Sequence, residues 1–306
     1  MILVLARNVG GYSEERKMHN TTGHRSPAHR HSGNPSVSHA VLHDQEFAQF
    51  RDMIYRIAGI TLSPAKKQLV SSRLAKRLKH HNLTSYGDYF RLISAPHGKA
   101  ELQVAVDSLT TNETHFFREP KHFDFLRNRV IPARKPGRGL RIWSAACSSG
   151  EEPYSIAMLL DELLGKEPWE VVASDISTHV LDKARSGLYP AERIPEIPKH
   201  YLNRYCLKGV GDHHGTMLIE QFLRDRVRFM QHNLTETASK LGEFDVIFLR
   251  NVMIYFDQET KRQVVSRLLP LLRPGGYFLV GHSESLNGVN EEVRLIVPAV
   301  YQKPER

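Results

Sequence analysis

The sequence predicts an α/β protein in which a small all-helical domain is followed by a doubly wound, Rossmann-like sheet domain. Three observations support this order. From residue 44 to about residue 118, apolar residues recur at helical spacing. From Leu140 onward, apolar strands alternate with helices, as they do in a mostly parallel sheet covered on both faces. The segment 140–155, LRIWSAACSSGEEPYS, leads an apolar strand into a turn of small residues that opens a helix, which is where such sheets bind ligands.

The bulk properties fit a soluble globular protein that is long enough for two domains. Its 306 residues include 41% apolar and 25% charged side chains, with a formal net charge of +9. No apolar run approaches the length of a membrane span, and the apolar start lacks the basic segment of a secretory signal. We therefore expect a cytoplasmic protein with no membrane insertion. Cys147 and Cys206 show no metal-ligand spacing, so we expect neither a disulfide nor a metal.

Residues 1–43 are expected to form a disordered tail. They include HNTTGHRSPAHRHSGNPSVSH, a tract that is too polar to form a core. Its histidines also allow adventitious metal binding, although a plain flexible tail explains the composition. Met18 is an alternative translational start, because nothing before it resembles a structural element.

The helical domain is predicted at 44–118. Its first helix places phenylalanines and isoleucines at helical spacing and stops at Gly59. A second helix follows the cap and first-turn pair Ser63-Pro64. The segments TSYGDYFRLIS and KAELQVAVDSLT predict two more helices, and 119–139 is predicted to be a linker helix with a basic Pro/Gly joint.

The sheet domain is predicted at 140–306. Its strand candidates are 140–145, 170–174, 227–230, 244–249, 276–281 and a last one near 299–303. The main helices between them are predicted at 152–164, 177–186 and 258–271. The alternation is interrupted at about 188–226, where prolines, glycines and the turn GDHHG predict an insertion that contains a hairpin.

The turn after the first predicted strand favours a cofactor without phosphate. Residues 145–150 have little side-chain bulk, so their backbone N–H groups can approach a ligand closely. Glu151 and Glu152 follow at the helix N-terminus, where two carboxylates would repel the phosphate that such an end usually attracts. S-adenosyl-L-methionine fits better, because it has ribose hydroxyls and a positive sulfonium but no phosphate.

Polar residues at other strand ends are candidates for the same site. Asp175 ends the second strand, where it either accepts hydrogen bonds from ribose hydroxyls or caps the next helix. Arg250 and Asn251 end the fourth strand and Tyr255 follows them, with a surface ion pair and a core aromatic as the structural alternatives. The polar segment 110–120, TTNETHFFREP, is either an interdomain loop or one wall of a cofactor site.

Five segments carry a family resemblance: TTNETHFFREP, SAACSSGEEPYSIAM, ASDIS, HNL and LRNVMIYF. In this order and at these intervals they closely resemble the bacterial chemotaxis receptor glutamate methyltransferase family, CheR, over about residues 44–304. The resemblance implies a class I methyltransferase fold with a small antiparallel β subdomain inserted at about 188–226. It also implies that methyl is transferred from S-adenosyl-L-methionine to glutamates on the cytoplasmic helices of chemoreceptors. The products are γ-methyl esters and S-adenosyl-L-homocysteine.

The resemblance also implies the residues of the site. Arg118 and Tyr255 are implied to position the reacting groups. A glutamate is ionised at neutral pH and attacks the methyl directly, so no catalytic base is required. The implied or candidate cofactor contacts are Asn112, Thr114, Arg118, Ala146, Gly150, Glu151, Asp175, Asn233, Leu234, Arg250 and Asn251.

A basic helix at 64–81 is a candidate for substrate docking. It holds six Lys and Arg residues, among them Arg73, Lys76 and Arg77, and no acidic residue. Solvated charge and nucleic-acid binding are the alternatives, and the resemblance adds docking of the acidic receptor helices. We expect no nucleic-acid partner, because the chain lacks the N/D-P-P-Y and Pro-Cys motifs of base methylation.

Three glycines in the insertion, Gly209, Gly211 and Gly215, either make turns or belong to a peptide site. The second possibility follows from the resemblance, because CheR members with a G-x-G-x-x-x-G loop of this kind grip a short peptide at a receptor's C-terminus. An edge strand there would bind the peptide by β-augmentation. A nucleic-acid methyltransferase and a catalytically silent S-adenosylmethionine-binding scaffold remain the rival functions.

Overall fold

The first helices after residue 43 pack into a small helical domain. The computed structural model describes residues 5–7, 40–135 and 137–305. The domain comprises α1 (Asp44–Ala58), α2 (Lys67–His80), α3 (Tyr86–Ser94) and α4 (Lys99–Leu109). Their apolar faces meet in one core, whose bulkiest buried members are Phe50, Tyr86 and Tyr89. After this domain, α5 (Pro120–Phe125) continues through a π-helical stretch, 126–130, into α6 (Ile131–Ala133).

The end of α1 lies against the sheet domain. α1 ends at Gly59, as the sequence predicts, and Gly59 adopts a left-handed φ of 69° that glycine tolerates best. A Cβ at this position would lie 2.5 Å from Thr260 Cγ2, so glycine also permits a close approach between the domains. The predicted second helix begins with a 3-10 turn at 64–66 before the α-helix proper.

A seven-stranded sheet forms the second domain. Its strands are β2 (Leu140–Ser144), β3 (Trp169–Asp175), β7 (Val227–Gln231), β8 (Phe244–Leu249), β9 (Leu272–Val280), β10 (Arg294–Val297) and β11 (Val300–Gln302). They lie in the order β10-β11-β9-β8-β2-β3-β7, and the pairs from β9 to β7 are parallel. The helices α7 (Glu151–Leu164), α8 (Thr178–Ser186) and α11 (Gln258–Leu268) connect the parallel strands. The class I methyltransferase fold implied by the sequence is confirmed.

The strand order reverses at β2. β2 pairs with β3 on one side and with β8, which is much later in the chain, on the other. Connections therefore leave β2 and β8 in opposite directions, and a crevice opens at the carboxyl ends of these strands. One apolar core on each face of the sheet holds it in place, with α7 on one side and α11 on the other.

The insertion forms a small antiparallel sheet. It contains β4 (Leu188–Pro190), β5 (Cys206–Gly209) and β6 (Thr216–Ile219), with α9 (Lys199–Tyr205) before β5 and α10 (Gln221–Arg224) after β6. The predicted hairpin at GDHHG is confirmed, because β5 and β6 pair on either side of it.

Two strands appear where the sequence predicts none. β1 (Leu5–Arg7) lies in the segment expected to be disordered and pairs with β5, which gives the small sheet the order β1-β5-β6-β4. The rest of that segment, 1–4 and 8–39, lies outside the described residues. β10 is an exposed edge strand that pairs only with β11. Within the described ranges, none of the helices combines the length and apolar character that a bilayer crossing requires.

Candidate active site

A cleft lies where the sheet topology places it, at the carboxyl ends of β2, β3 and β8. It encloses about 870 Å³ of empty space, with the open solvent at its mouth included. The end of α1 and the 110–118 segment close it from the helical side. Ten of the predicted site residues line it: Asn112, Thr114, Arg118, Ala146, Asp175, Asn233, Leu234, Arg250, Asn251 and Tyr255.

Two of the predicted cofactor contacts, Gly150 and Glu151, lie outside the lining of this cleft. Gly150 has a φ of 98°, and a Cβ there would come within 2.8 Å of Ala184 Cβ and 2.9 Å of Tyr189 Oη. Gly150 therefore serves the packing of the turn against α8 and β4. Glu151 is 2% exposed, its carboxylate accepts a hydrogen bond from Ser149 Oγ at 2.7 Å, and burial raises its pKa.

Glu152 occupies the position in the cleft that the sequence assigned to Glu151. Its two carboxylate oxygens accept hydrogen bonds from Ser144 Oγ and from Arg250 Nη1, both at 2.7 Å. Successive residues in a helix point about 100° apart, so only one of two adjacent glutamates faces the crevice. Glu152 therefore has contacts in the cleft lining in addition to its place in the first turn of α7.

Asp175 lies at the carboxyl end of β3 and is 8% exposed. Its carboxylate oxygens accept hydrogen bonds from the backbone N–H groups of Ser148, at 2.9 Å, and Ser177, at 3.0 Å. Burial raises the pKa of Asp175, and these backbone donors oppose that rise. The cap of α8 is Ser177, whose side chain accepts from Val180 N, so the alternative of Asp175 as the helix cap does not hold.

Arg250 is held by protein groups on several sides. Its side chain is 2% exposed, and it pairs with Glu152 and, at 2.9 Å, with Glu119 Oε2. It also donates to the carbonyl of Arg118 at 2.6 Å. Burial acts to raise the pKa of Glu119, but the Arg250 guanidinium, together with hydrogen bonds from His282 N and Asn251 Nδ2, lowers this pKa to about 2. Arg250 thereby fixes the loop that carries Arg118, a role that sequence reasoning missed.

Glu284 is a second functional candidate that sequence reasoning missed. Its carboxylate accepts hydrogen bonds from the backbone N–H groups of Asn251 and Gly281, both at 2.7 Å, and of Ile254 at 3.2 Å. Asn251 has a positive φ of 56°. Glu284 thus holds the turn after β8 in the conformation that presents Tyr255 to the cleft. The isolated position of Glu284 in the sequence carries no signal of this role.

Arg118 and Tyr255 present side-chain groups that protein carboxylates do not occupy. Arg118 Nη1 donates to the Glu113 carbonyl at 2.9 Å, and across the described residues it forms no ion pair. The hydroxyl of Tyr255 has no hydrogen-bond partner in the part of the chain that the structure describes. A cation and a phenol therefore remain available at the cleft.

Backbone atoms of the α1 terminus join the helical domain to both sides of the cleft. The carbonyl of Ile57 accepts from Asn233 Nδ2 at 2.6 Å, and Thr61 N donates to the carbonyl of Tyr255 at 2.8 Å. Asn233 lines the cleft, as predicted, but its amide nitrogen is already used in this interdomain contact. The amide oxygen of Asn233 accepts from Thr235 N and Oγ1, so both ends of the amide have protein partners, while Asn233 and its neighbour Leu234 line the cleft.

Both domains match one family. Residues 112–301 match the model described as the SAM binding domain of CheR methyltransferase, and residues 45–110 match its all-alpha domain. The chain belongs to the CheR methyltransferase family. It is 46% identical over 260 residues to chemotaxis protein methyltransferase 2 of Pseudomonas aeruginosa, covering 84% of this chain and 92% of that relative. It is 43% identical over 264 residues to the chemotaxis protein methyltransferase of Escherichia coli, covering 85% of this chain and 91% of that relative.

S-adenosyl-L-methionine is the cofactor of this CheR family member, and the cleft fits it. Two buried polar atoms of cleft-lining residues, Arg250 Nε and His232 Nε2, have no partner among the described residues, so ligand atoms can satisfy them. Asp175 and Glu152 provide negative charge for a cationic ligand. Ile60 and Phe256 add apolar surface for a base.

A group of potential metal ligands lies behind the cleft of this CheR chain. Ligand atoms of Glu119, His122 and His282 lie within 4.8 Å of one another, although no metal is expected from the sequence. The Arg250 guanidinium contacts the same Glu119 carboxylate, and its charge disfavours a second cation there. Burial and the charge of Arg250 lower the pKa of His122 to about 3, so this histidine is neutral at pH 7.

Two of the three basic residues predicted to dock the receptor are engaged within the CheR helical domain. Arg77 forms a bidentate pair with Glu101, at 2.8 and 2.7 Å, and this hydrogen bonding raises its pKa. Arg73 donates to the carbonyls of Leu109 and Thr110 and so fixes the entrance to the cleft-lining loop. Lys76 is exposed. α2 itself holds no acidic residue, and the carboxylate that pairs with Arg77 comes from α4.

The three glycines of the insertion have different roles. A Cβ at Gly209 would lie 1.9 Å from the carbonyl oxygen of His213 and 2.5 Å from Thr216 Oγ1, so glycine is required there for a close approach. Gly211 and Gly215 adopt positive φ values of 57° and 82° with open space around them. They allow the chain to turn between β5 and β6.

Proposed function

We propose that this CheR family member transfers the methyl group of S-adenosyl-L-methionine to glutamate side chains of chemoreceptor cytoplasmic helices, as part of chemotaxis adaptation in the cytoplasm. The products are a glutamyl γ-methyl ester and S-adenosyl-L-homocysteine. The observation that carries the proposal is a pair of side-chain groups at the lining of one cofactor cleft, the Arg118 guanidinium and the Tyr255 hydroxyl. Neither group is bonded to a carboxylate among the described residues.

The cofactor is proposed to lie along the carboxyl edge of the sheet. Asp175 retains free lone pairs beyond those used by its backbone donors and accepts the ribose hydroxyls. Arg250 Nε donates to an acceptor of the cofactor, and Glu152 offsets its positive charge. Asn112, Thr114 and Ala146 shape the wall between these groups.

Arg118 is proposed to bind the carboxylate of the substrate glutamate. When bound, the cofactor supplies an electrophilic methyl group, and the ionised carboxylate needs no base to attack it. Orientation alone contributes roughly 7–11 kcal/mol to lowering the barrier in favourable cases. Because no protein carboxylate pairs with Arg118 in the described structure, its charge is free for the incoming glutamate. Too tight an ion pair would stabilise the ground state and slow the transfer, so one solvent-accessible contact suits this role better than a buried clamp.

Tyr255 is proposed to orient the same carboxylate. Its backbone is fixed on one side by Thr61 and in its turn by Glu284, while its hydroxyl is free to donate to a carboxylate oxygen. A donor held by rigid backbone loses little entropy when it binds. The hydroxyl therefore selects which oxygen of the glutamate faces the methyl group.

The receptor is proposed to dock beside the cleft mouth. The exposed Lys76 on α2 supplies charge for acidic receptor helices, whereas Arg73 and Arg77 hold the helix in place. The small sheet is proposed to bind a receptor C-terminal peptide by β-augmentation, which raises the local concentration of the methylation region.

Methyl-labelled cofactor tests the proposal directly. The protein is incubated with receptor cytoplasmic fragments, with and without their C-terminal tails, and base-labile label on glutamate is measured. Arg118→Ala and Tyr255→Phe should each lower kcat by about tenfold or more. Cofactor Kd should change by less than about threefold in Tyr255→Phe, whereas Arg118→Ala should also weaken cofactor binding, because Arg118 is an implied cofactor contact. Lys121→Ala, an exposed cation outside the cleft lining, serves as the matched control. Normal turnover in both variants would remove the assigned roles, and cofactor binding without any label would favour the silent scaffold.

A further inference from the structure

The small sheet already carries an added strand from the chain itself. β1 pairs antiparallel with β5, with Leu5 opposite Gly209, Ala6 opposite Lys208 and Arg7 opposite Leu207. The pairing makes β1 the outermost strand on this side of the sheet. β6 is paired with one edge of β5, so only the opposite edge of β5 can accept a further strand. An extended peptide that added there would need the same backbone N–H and C=O groups of β5 that β1 uses.

β5 is the edge of the small sheet that is suited to a peptide. On the far side of the sheet the outer strand is β4, which is three residues long and ends in Pro190, a residue without an N–H donor. The N–H of Leu188 in β4 is already bonded to Ser186 Oγ at 3.2 Å. β4 therefore offers few backbone donors, and the outer edge of β5 is the place where augmentation gains most.

The loop that contains Gly209, Gly211 and Gly215 lies at the end of the β5 edge. Gly209 is both the partner of Leu5 and the residue against which the His213 carbonyl folds closely. The turn permitted by Gly211 and Gly215 thus sits at the point where an added strand begins or ends. These glycines therefore shape the β5 edge and have no part in the chemistry of the cleft.

We infer that Leu5–Arg7 is a built-in occupant of the β5 edge, which a receptor C-terminal peptide must displace before it can bind. The inference rests on the proposed function, since that function assigns the peptide to this sheet. Only three residue pairs hold β1, and so short a pairing is marginal by itself. Covalent connection through residues 8–39 raises its local concentration, which favours occupancy without making it irreversible.

The occupant weakens the apparent affinity for any competing peptide. If β1 occupies the edge nine-tenths of the time, the apparent Kd of a competitor rises about tenfold over its intrinsic value. A receptor peptide must then either bind tightly or be delivered at high local concentration by the receptor array. The edge strand thereby discriminates against weak, accidental peptides that match it only through backbone hydrogen bonds.

Proline substitution in the full-length chain removes the occupant. Leu5→Pro, Ala6→Pro and Arg7→Pro are combined, so that every N–H that could face β5 is lost. The matched control places three prolines at Asn20, Thr21 and Thr22. Hydrogen exchange of those amides within 207–209 that face β1 should be about tenfold faster in the β1 variant than in the wild type or the control, while the amides that face β6 should not change. Unchanged exchange would overturn the inference.

Peptide titration provides the second measurement. A fluorescent peptide with the sequence of residues 1–10, MILVLARNVG, should bind the β1 variant saturably and the wild type about tenfold more weakly. C-terminal decapeptides of receptors from the source organism should compete with it. Equal binding to both proteins, or no competition by any receptor peptide, would overturn the inference. Methyl transfer to receptor fragments is measured separately, so loss of the proposed function would appear there while the exchange and self-peptide results stand.

Discussion

Removal of Arg250 should destabilise the sheet domain through the two carboxylates it leaves behind. In Arg250→Met the side chain keeps similar length but loses its charge, and the Glu119 and Glu152 side chains, which are 13% and 12% exposed, are left without this cation. The difference between the ordinary pKa of Glu119, 4.5, and its value of about 2 corresponds to about 3 kcal/mol. Breaking a buried pair by removing one partner costs about 3–5 kcal/mol in general, so we expect a loss in this range at pH 7.

The stability lost in Arg250→Met should depend on pH. In the wild type, the lowered pKa of Glu119 stabilises the folded state above pH 4.5, and this contribution is lost as the pH falls from 4.5 towards 2. In Arg250→Met, burial without a cation should raise the pKa of Glu119 above 4.5. The folded variant then regains stability as the pH falls from 7 through that raised pKa, because the carboxyl becomes neutral. The stability difference between the two proteins should therefore shrink between pH 7 and pH 4.

Urea unfolding, monitored by tryptophan fluorescence, measures the free energy of unfolding of the sheet domain. The chain has two tryptophans, Trp143 and Trp169, and both lie in the large sheet. Glu119→Gln and Glu152→Gln, added to Arg250→Met, should recover more than half of the lost stability. Arg185→Met breaks an exposed pair with Asp182 and should cost less than about 1 kcal/mol. A loss below about 1 kcal/mol in Arg250→Met at pH 7, or a loss that does not change with pH, would refute the reasoning.

Three further predictions concern the cleft and the helical domain. Asp175→Asn should weaken S-adenosyl-L-homocysteine binding by about tenfold or more in calorimetry, because it replaces a charged acceptor, and a change below about twofold would contradict the ribose role. Glu152→Gln should weaken the same binding more than Glu151→Gln, since only Glu152 lines the cleft, and the opposite order would return the contact to Glu151. Arg77→Ala should lower the free energy of unfolding by about 1–2 kcal/mol and Lys76→Ala by less than about 0.5 kcal/mol, as measured by thermal unfolding. Equal effects would show that the pair between Arg77 and Glu101 does not stabilise the fold.

The strands of the large sheet are predictable because each is an apolar run between turn residues. The predicted and observed bounds of β8 agree, those of β2 and β7 differ by one residue at one end, and those of β3 differ by one residue at each end. β10 was not predicted because its Leu295, Ile296 and Val297 are exposed, and the sequence pattern of a buried strand does not describe an edge. β1 was not predicted either, because it begins in the short apolar start of the chain, residues 1–6, where a continuous apolar run shows no strand periodicity and a polar tract follows.

Residues of the site can be predicted from the sequence where the sheet topology places them. They cannot be predicted where the direction of a side chain determines whether it faces the cleft. Asp175, Arg250 and Asn251 follow from the rule that ligands bind at the carboxyl ends of strands. Adjacent residues such as Glu151 and Glu152 carry the same sequence signal, and only the rotation of the helix separates them. The partners of Arg250 lie 98 and 131 residues away along the chain, a distance over which the sequence alone shows no pairing.

The contact between the end of α1 and the cleft bears on how CheR proteins diversify. The carbonyl of Ile57 and the N–H of Thr61 make this contact through backbone atoms, so many side chains at these two positions are compatible with it. Gly59 between them is the residue that the local geometry fixes. Mutations can therefore accumulate on the outer surface of the helical domain, where the receptor is proposed to dock, without disturbing the wall of the cofactor site. A lineage can change the receptor it serves while it keeps the same methyl-transfer chemistry.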